Sequence, residues 1–545
     1  MEKRYINESR YKKGTARKRR DAGTVKSNLG TSKQVKIQEK DQVKKTVKTK
    51  KKTKKAAKQS KVANIVICII LLILIAVISR AILKDENEPF IPLPFFEQAN
   101  EEVIKIGVIT SDSLLDNNTK NPVINELNKY SKDMLLEVNQ DYSITYKCIS
   151  NVTKVSNKEY ILYRNTESNV TTNSIKQELD SYRNNKESVY YTKLENIDSI
   201  EVVDDNMLNI KLKTDSPYFI YNLDICLTTS SDVKNYVQDA VSNENRLVFI
   251  RQEDANKELP AKIIVTKYKD MYAAVEAYKD QEINMFVTNA ENVQNILGKY
   301  EYNIKAYRNG KTVFLFGNPE SKLYSKEEVR KVIAYSIDRD SIINDVLKSK
   351  GDKIDLPYIY DNVKYKYDVY AAENLLLTNE YKKSNKVYSK TENGLKMTLE
   401  LDLLVNKDDE TKVSIANKIK NNLSAIGIKV NVEKLTESNM ESRIKKGTYD
   451  LILASVDLNN TPDISFVSSN LFITDNVKQA IENINNSSIQ DLNKNITELR
   501  TTLSEDVSAI GIYSDVSYLV YSKDIIGIDE ISYMNLFEGI LNWND

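Results

Sequence analysis

The segment "DDETKVSIANKIKNNLSAIGIKVNVEKL" (408–435) decides the fold, because a helical pattern in it passes directly into a strand pattern. Its first part repeats apolar side chains at helical spacing, and Gly427 stands where a helix C-cap is expected. The repeated side chains are Val413, Ala416, Ile419, Leu423 and Ile426. Residues 428–435 then alternate in the manner of a strand, so the segment predicts a helix followed directly by a strand.

Further elements of the same kind flank this segment. "LKMTLELDLLV" (395–405) predicts a strand before it, and a second helix at 438–447 leads to the strand "YDLILASV" (449–456). The order strand–helix–strand–helix–strand predicts a parallel sheet with right-handed crossovers. Ligands of open α/β sheets bind beyond the carboxyl ends of the strands. The loop "SVDLNNTPD" (455–463) is therefore a candidate binding site.

The remainder of the chain after residue 102 also alternates between strand-like and helix-like segments. The patterns predict strands at 102–110, 142–150, 159–164 and 261–268, a hairpin at 199–213, and a helix followed by a strand at 271–287. This alternation predicts a mixed α/β body.

The stretch "EEVRKVIAYSIDRDSII" (327–343) contains a cluster of two carboxylates and a guanidinium, Asp338-Arg339-Asp340. Such a cluster is compatible with a catalytic site or with the corner between two helices. The apolar residues before it share one helix face, and Asp338 can act as the N-cap of a new helix with Asp340 in its first turn. We therefore expect a helix–helix corner in which Arg339 pairs with a neighbouring carboxylate.

Charge is distributed unevenly along the chain. Residues 1–61 contain 23 Lys and Arg against 5 Asp and Glu, a net charge of +18, whereas residues 85–545 contain 54 and 72, a net charge of −18. The basic part has few large apolar side chains, which predicts a disordered tail. Its lysine runs are compatible with nucleic acid or anionic lipid as partners. We expect a cytoplasmic tail that fixes the membrane topology of the chain. Its expected partners are anionic lipid head groups and not nucleic acid.

The segment "VANIVICIILLILIAVIS" (62–79) predicts a transmembrane anchor helix over residues 62–83. At 1.5 Å per residue, such a helix spans a hydrocarbon core of about 30 Å. A cleaved signal peptide is the alternative, but the basic region is too long for one and no cleavage site of the Ala-x-Ala type follows. The positive-inside rule places the N-terminus in the cytoplasm and the body outside, as a single-pass protein of the cell membrane. Residues 84–101 contain three prolines and predict an extracytoplasmic linker.

The composition excludes several kinds of chemistry. The chain has no histidine, so Ser-His-Asp and Cys-His sites cannot form, and the commonest ligand of zinc, nickel and haem iron is missing. Cys68, Cys148 and Cys226 lack metal-site spacing, and whether the last two form a disulfide is left open. Carboxylate sites for Ca²⁺ or Mg²⁺ remain open, but no enzyme activity and no resident cofactor or metal ion are expected.

The segment "NPESKLYSKEEVRKVIAYSIDRDSII" (318–343) resembles the characteristic motif of family-5 extracellular solute-binding proteins, the oligopeptide- and dipeptide-binding components of ABC importers. In that family an Asn precedes a loop and an Arg-containing helix that ends in an Ala-Ile-Asp-Arg type of corner. Segments at 277–287, 371–381, 415–435, 445–463 and 508–528 are similar to family segments in the same order. The match is best over residues 311–545.

The resemblance implies a two-lobed, periplasmic-binding-protein-like α/β body of type II, similar to cluster C, placed after the transmembrane helix. Its crossing strands would let the lobes close on a ligand. Residues 102–312 together with 505–545 would form a shortened N-terminal lobe. Residues 313–504 would form the C-terminal lobe.

The resemblance also implies a ligand site. In peptide-binding members an Asp after a strand binds the α-ammonium group of the ligand, and Asp457 matches that position. Ala454, Ser455 and Val456 would offer backbone groups to an extended peptide, with Asn459 in the adjoining loop. An ordinary Asx turn between Asp457 and Asn459 is the structural alternative. Peptide binders often have Trp at the position of Ala454.

These observations predict a membrane-tethered extracytoplasmic solute-binding protein that captures peptides, or another small solute, for an ABC permease. The alternative is a diverged family member without transport function, acting as an envelope receptor or interaction scaffold. Binding assays on the body distinguish the two hypotheses.

Overall fold

The computed structural model describes residues 103–537, apart from 117–120, 229–234, 258, 290–291, 359–362, 459–460, 466–471, 529–530 and 532–535. The predicted tail (1–61), anchor (62–83) and linker (84–101) lie outside the described residues. Within the described residues, no helix is both long and apolar enough to cross a membrane.

The first part of the chain contributes five strands to one large sheet and forms two smaller sheets. Its elements are β1 (Val103–Ile109), α1 (Pro122–Ser131), β2 (Leu136–Val138), β3 (Ile144–Tyr146), β4 (Ile149–Ser156), β5 (Glu159–Arg164), α2 (Thr172–Asn184), α3 (Tyr191–Leu194), β6 (Ile197–Asp204), β7 (Met207–Leu212), β8 (Tyr236–Gln238), β9 (Arg246–Arg251), β10 (Lys262–Tyr268), α4 (Met271–Lys279), β11 (Met285–Thr288) and α5 (Val293–Leu297).

The second part begins with the longest strand that the structure describes. Its elements are β12 (Asn303–Gly317), α6 (Glu327–Ser336), α7 (Arg339–Ser341), β13 (Gly351–Asp352), α8 (Val369–Thr378), β14 (Lys382–Ser384), β15 (Val387–Glu392), β16 (Leu395–Thr398), β17 (Glu400–Asn406), α9 (Glu410–Ile426), β18 (Lys429–Leu435), α10 (Glu437–Lys445), β19 (Leu451–Asp457), α11 (Asp475–Asn486), α12 (Ile489–Asp506) and β20 (Ala509–Tyr521).

One large mixed sheet connects both parts. Its strand order is β18-β17-β19-β12-β20-β11-β1-β10-β9-β8, with β13 beside β20. Smaller sheets are formed by β14-β15-β16, by β2-β3 and by β4-β5-β7-β6. The long strands β12 and β20 run side by side through the middle of the large sheet, so they belong to both ends of the molecule.

The pairing of β12 and β20 divides the body. Residues 303–308 pair with 516–521, of which 518–521 also pair with β11, whereas residues 312–316 pair with 509–514. We call residues 103–308 with 516–528 the N-terminal region and residues 312–514 the C-terminal region. Asn100–Asp545 clusters as one compact unit, so the predicted lobe boundaries at 312 and 505 stay a prediction.

The predicted strand–helix–strand–helix–strand unit is present in the C-terminal region. β17 pairs in parallel with both β18 and β19. The helix between the first two strands, α9, begins where Asp409 caps the N–H of Lys412 and ends at Gly427, whose φ of 107° requires a residue without a side chain. Two details differ from the expectation. Residues 395–405 form two strands, and the other neighbour of β19 is the antiparallel strand β12, so the sheet is mixed.

Asp338 lies at the predicted helix corner. Its side chain accepts a hydrogen bond from the N–H of Ser341 at 2.9 Å, as an N-cap does. Arg339 does not pair with an adjacent carboxylate. Its guanidinium is buried and forms an ion pair with Asp355 at 2.6 Å. Asp355 reaches this corner because the chain passes beside it after leaving β13 of the large sheet. Asp340 is left to pair with Lys353 at the surface.

Other residues of the motif at 318–343 also connect remote segments. The Asn318 amide is buried and donates to the carbonyls of Gly447 and Tyr449, which fixes the end of β12 against the start of β19. The Arg330 guanidinium donates to the carbonyl of Asp506 at the end of α12. These contacts hold the loop and the helix that follow β12 against distant segments.

The hydrophobic core continues from one region into the other. Buried side chains between Leu135 and Leu227 form a cluster with Phe314 and Phe316 of β12 and with the inner faces of α11 and α12. A second cluster fills the opposite face of the C-terminal sheet under α6, α8 and α9. Cys148 and Cys226 are both buried and unbonded to each other, since Met134 lies between them, paired with each.

Candidate functional site

The candidate site lies at the carboxyl end of β19. On one side, β19 pairs with β12 along its full length, from Leu451 opposite Gly317 to Asp457 opposite Lys311. On the other side, it pairs with β17 only at Leu451 and Ile452. In the part of the chain that the structure describes, the outer edge of β19 is therefore unpaired after Ile452.

The ladder with β12 determines which backbone groups face this edge. Leu458 donates its N–H to the carbonyl of Gly310 at 2.8 Å. Opposed residues of an antiparallel ladder alternate between hydrogen-bonded and non-hydrogen-bonded pairs. Counting back from Leu458, the backbone groups of Val456 and Ala454 point to β12. Those of Ser455 and Asp457 point away from it, to the open edge.

This alternation narrows the predicted set of peptide contacts. Ala454, Ser455 and Val456 were all expected to offer backbone groups to a ligand. The backbone groups of Ala454 and Val456 are directed at β12, so Ser455 and Asp457 are the residues whose backbone remains available at the edge. The sequence could not show this, because the alternation depends on the distant strand β12.

The side chains of the candidate residues divide in the same way. Ala454 and Val456 pack against the large core cluster, whereas Ser455 and Asp457 are exposed. Among its described neighbours, the Asp457 carboxylate makes no ion pair or hydrogen bond. Asn459 lies outside the described residues, so the alternative of an Asx turn between Asp457 and Asn459 stays a prediction.

The N-terminal region meets the C-terminal region through a group of aromatic residues, which belong to the core cluster that Ala454 and Val456 pack against. The ring of Tyr142, in the turn between β2 and β3, lies 5.9 Å from the ring of Tyr358 and 6.5 Å from that of Tyr221. The Arg500 guanidinium of α12 lies over the rings of Tyr142 and Tyr358, at 5.8 and 5.4 Å. Cation–π contacts of this kind are attractive.

One further hydrogen bond crosses between the regions. The Lys154 ammonium group donates to the Asn485 carbonyl at 2.9 Å, and burial lowers the pKa of Lys154. Burial also raises the pKa of Tyr218 in the N-terminal region, and the charge of Asp463 in the C-terminal region adds to the increase. No local pattern marks Tyr142, Tyr218 or Tyr358, because their contacts join distant segments.

A separate recess of about 590 Å³ lies beyond the end of β20. Its lining includes Lys105, Tyr278, Tyr300 and Lys523. It lies at the far end of the N-terminal region, so it does not include the residues predicted from the sequence. Within the described residues, no group of three or more acidic or cysteine side chains could hold a metal ion.

Comparison with known proteins agrees with this architecture. The model of the middle part of the bacterial extracellular solute-binding proteins, family 5, matches residues 165–478, more than half of the chain. A probable D,D-dipeptide-binding periplasmic protein of Escherichia coli (strain K12), DdpA, is 25% identical over 154 residues, 28% of each chain. The alignment thus covers well under half the length of this curated relative.

Two solved structures are similar in fold. The periplasmic murein tripeptide-binding protein MppA, in its unliganded open form, has a TM-score of 0.62 at 15% identity over 82% of this chain and 98% of that chain. A nickel ABC transporter protein from Bacillus halodurans has a TM-score of 0.59 at 16% identity over 78% and 96%. At these identities the similarity establishes the fold alone.

Proposed function

Because the chain belongs to the bacterial extracellular solute-binding proteins of family 5, we propose that it captures peptides at the open edge of β19 and delivers them to an ABC permease. Its relatives are substrate-binding proteins of ABC transporters and not enzymes. The relatives named for a peptide ligand are a probable binder of D,D-dipeptides and a binder of murein tripeptide, which favours a short peptide as ligand.

The observation that carries the proposal is the unpaired edge beyond Ile452. An extended peptide can add to such an edge as a further strand, bonding the outward backbone groups of Ser455 and Asp457. The Asp457 carboxylate is free at the same edge to bind the α-ammonium group of the peptide by a charge-assisted hydrogen bond. The carboxylate points to a ligand with a free N-terminus, and the open edge points to one with an extended backbone.

Calorimetry with peptides tests this proposal. Asp457→Ala should weaken peptide binding by about 2–5 kcal/mol, the range for removing one partner of a desolvated charge pair. Asp457→Asn should lose less, since its amide oxygen still accepts hydrogen bonds. N-acetylated peptides should bind the natural protein weakly and discriminate little between it and Asp457→Ala.

Asp408→Ala is the matched control, because Asp408 is an exposed carboxylate just after the neighbouring strand β17. It should leave peptide affinity unchanged. Candidate peptides come from mass spectrometry of the small molecules that co-purify with the protein. Equal affinities of the natural protein and Asp457→Ala would refute the role of this carboxylate. Absence of any bound peptide would favour the receptor or scaffold hypothesis.

We also propose that residues 62–83 tether the body outside the membrane, with the basic tail in the cytoplasm. The support is the sequence alone: 18 nearly uninterrupted apolar residues preceded by 23 basic ones. Protease added to intact cells should degrade the body and spare a tag at Met1. A body that resists protease in cells with a permeable wall would refute this topology.

A further inference from the structure

The recess beyond the end of β20 is separate from the candidate site on β19, and it is large enough to hold a small molecule. Its volume of about 590 Å³ lies within the range of about 300–1,000 Å³ that is usual for ligand sites. Its lining comes from the start of β1, the end of α4 with the segment leading to β11, the segment after α5 and the segment after β20. Most of these side chains are polar or charged, so the recess suits a polar ligand.

Asn284 holds three of these parts together. Its side chain accepts the N–H of Lys105 at 2.8 Å and donates to the Val103 carbonyl at 3.2 Å. Its own N–H donates to the Lys105 carbonyl at 2.9 Å, and its carbonyl accepts the N–H of Ser522 at 2.8 Å. These four hydrogen bonds fix the backbone under the recess. The lining side chains therefore project from a rigid framework, as a preorganised binding site requires.

Charge distinguishes the recess from the rest of the body. The ammonium groups of the half-buried Lys105 and the exposed Lys299 form no ion pair or hydrogen bond with the described residues. The third lysine of the lining, Lys523, pairs with Glu301 at 3.4 Å. Asp524 is the remaining carboxylate, so three lysines and two acidic residues give the lining a net charge of +1. Residues 85–545 carry −18, and a locally positive recess on such a body attracts anions.

Two tyrosines supply an apolar wall. The ring of Tyr278 lies 5.5 Å from that of Tyr300 in an edge-to-face arrangement, and the hydroxyl of Tyr278 donates to the Glu301 carbonyl at 3.4 Å. The buried Ile283 belongs to the same lining. A ligand in the recess therefore meets an apolar surface as well as charged groups, a combination that is typical of small-molecule sites.

Gln281 occupies a backbone position that favours glycine. It follows α4 with a φ of 60°, the left-handed conformation in which glycine commonly ends a helix. A side chain at such a position costs stability, but here it adds an amide donor to the lining. The last carbonyls of α4 are bonded by the N–H groups of Asp280, Gln281 and Glu282, so they are not left free to repel an anion.

We propose that this recess binds a small organic carboxylate, as a second site distinct from the peptide site on β19. The carboxylate pairs with the ammonium groups of Lys105 and Lys299 through charge-assisted hydrogen bonds, and the amide of Gln281 is an additional donor. The apolar part of the ligand packs on Tyr278 and Tyr300. The recess belongs to the N-terminal region and shares no residue with the β19 edge, so this inference does not depend on the proposed peptide binding.

Saturation-transfer difference NMR on the purified full-length chain tests the recess with benzoate as the probe. Benzoate joins a carboxylate to a flat ring, and benzamide is a neutral molecule of nearly the same shape. Benzoate should bind about tenfold more tightly than benzamide, and Lys105→Met should weaken benzoate binding about three- to tenfold, because each comparison removes one side of a charge-assisted hydrogen bond. Lys257→Met is the matched control, since Lys257 is an exposed lysine of the same region outside the lining.

Gln281→Gly separates ligand binding from stability. The change relieves the left-handed backbone, so the midpoint of urea unfolding should stay the same or rise. It also removes the side-chain amide, so benzoate should bind about threefold more weakly. Glu380→Gly is the matched control, because Glu380 takes a φ of 64° at the same position after α8. It should act on unfolding in the same direction and leave benzoate affinity unchanged.

Three results would overturn the proposal. They are the absence of benzoate binding to the natural protein, equal affinities for benzoate and benzamide, and equal benzoate affinities of Lys105→Met and Lys257→Met. Acetate, which lacks the ring, should bind more weakly than benzoate, and acetate binding of equal strength would refute the contact with the tyrosines. Asp457→Ala should leave benzoate affinity unchanged, so failure of the peptide site and failure of the recess are distinguishable.

Discussion

Replacement of Arg339 by leucine tests whether the Asp338-Arg339-Asp340 cluster is structural. The Arg339 side chain is 3% exposed. Besides its ion pair with Asp355, the guanidinium donates to the carbonyl of Gly511 at 2.7 Å and to that of Tyr365 at 2.8 Å. One side chain thus joins the helix corner to β20 and to two loop segments. Burial lowers the pKa of Arg339 and the charge of Asp355 opposes the change.

We expect Arg339→Leu to lower the free energy of unfolding by about 4 kcal/mol, because removing one partner of a buried ion pair costs about 3–5 kcal/mol. The Asp355 carboxylate, 8% exposed, would keep its hydrogen bonds from the N–H groups of Lys364 and Tyr365 but lose its countercharge. The control is Lys331→Leu, which removes an exposed pair with Glu327 on α6. Such pairs contribute about 0.2–0.5 kcal/mol.

Urea unfolding followed by circular dichroism measures these differences. In the double variant Arg339→Leu/Asp355→Leu no charge stays buried, so it should be more stable than Arg339→Leu alone. A loss below about 1 kcal/mol for Arg339→Leu would contradict the reasoning, since it would match an exposed pair. So would a double variant whose loss equals the sum of the two single losses. Unchanged stability together with abolished ligand binding would indicate that the cluster is a site.

Two other predictions concern stability. Asp338→Ala should lower the free energy of unfolding by about 0.5–2 kcal/mol through loss of the N-cap. Asp340→Ala is the control and should change it by less than about 1 kcal/mol, because the pair of Asp340 with Lys353 is exposed. Similar losses in both variants would contradict the N-cap role of Asp338. Burial raises the pKa of Glu126 from 4.5 to about 7, although Lys129 lies 2.9 Å away and opposes the increase. The folded protein therefore holds this proton more tightly than the unfolded chain does. The resulting stability is fully present below pH 4.5 and is lost as the pH rises through 7, by up to about 3 kcal/mol. Glu126→Gln should flatten this pH dependence in unfolding experiments, whereas the control Glu282→Gln, at an exposed position, should not. Identical profiles of stability against pH for Glu126→Gln and the natural protein would refute the assignment of this pH dependence to Glu126.

The sequence predicted best the elements that local patterns determine. The helix expected at 408–427 is α9 at 410–426, and its stop follows from Gly427 alone. The N-cap at Asp338 also depends only on neighbours within three residues. The sequence predicted that Arg339 pairs with a neighbouring carboxylate but could not identify Asp355. This residue is sixteen positions away and is brought back to the corner by a segment that runs along β20.

The candidate site was predictable as a position but not as a geometry. The end of the strand that includes Asp457 followed from the order of elements. Which backbone groups face outward depends on the register with β12, more than 140 residues earlier in the chain. The tyrosines that meet between the two regions were equally beyond the reach of a local pattern.

The residues that carry the family motif and those that would bind ligand are separate. Asn318, Arg330 and Arg339 are buried and bond backbone carbonyls of distant segments. The presence of these three residues therefore indicates that the fold is retained, and it carries no information about the ligand. Asp457 is exposed and is free of contacts among the described residues, so the fold does not require it. A change at Asp457 should consequently alter binding at constant stability, and a change at Arg339 should alter stability first. Measuring both quantities on both variants separates the retention of the fold from the retention of peptide binding.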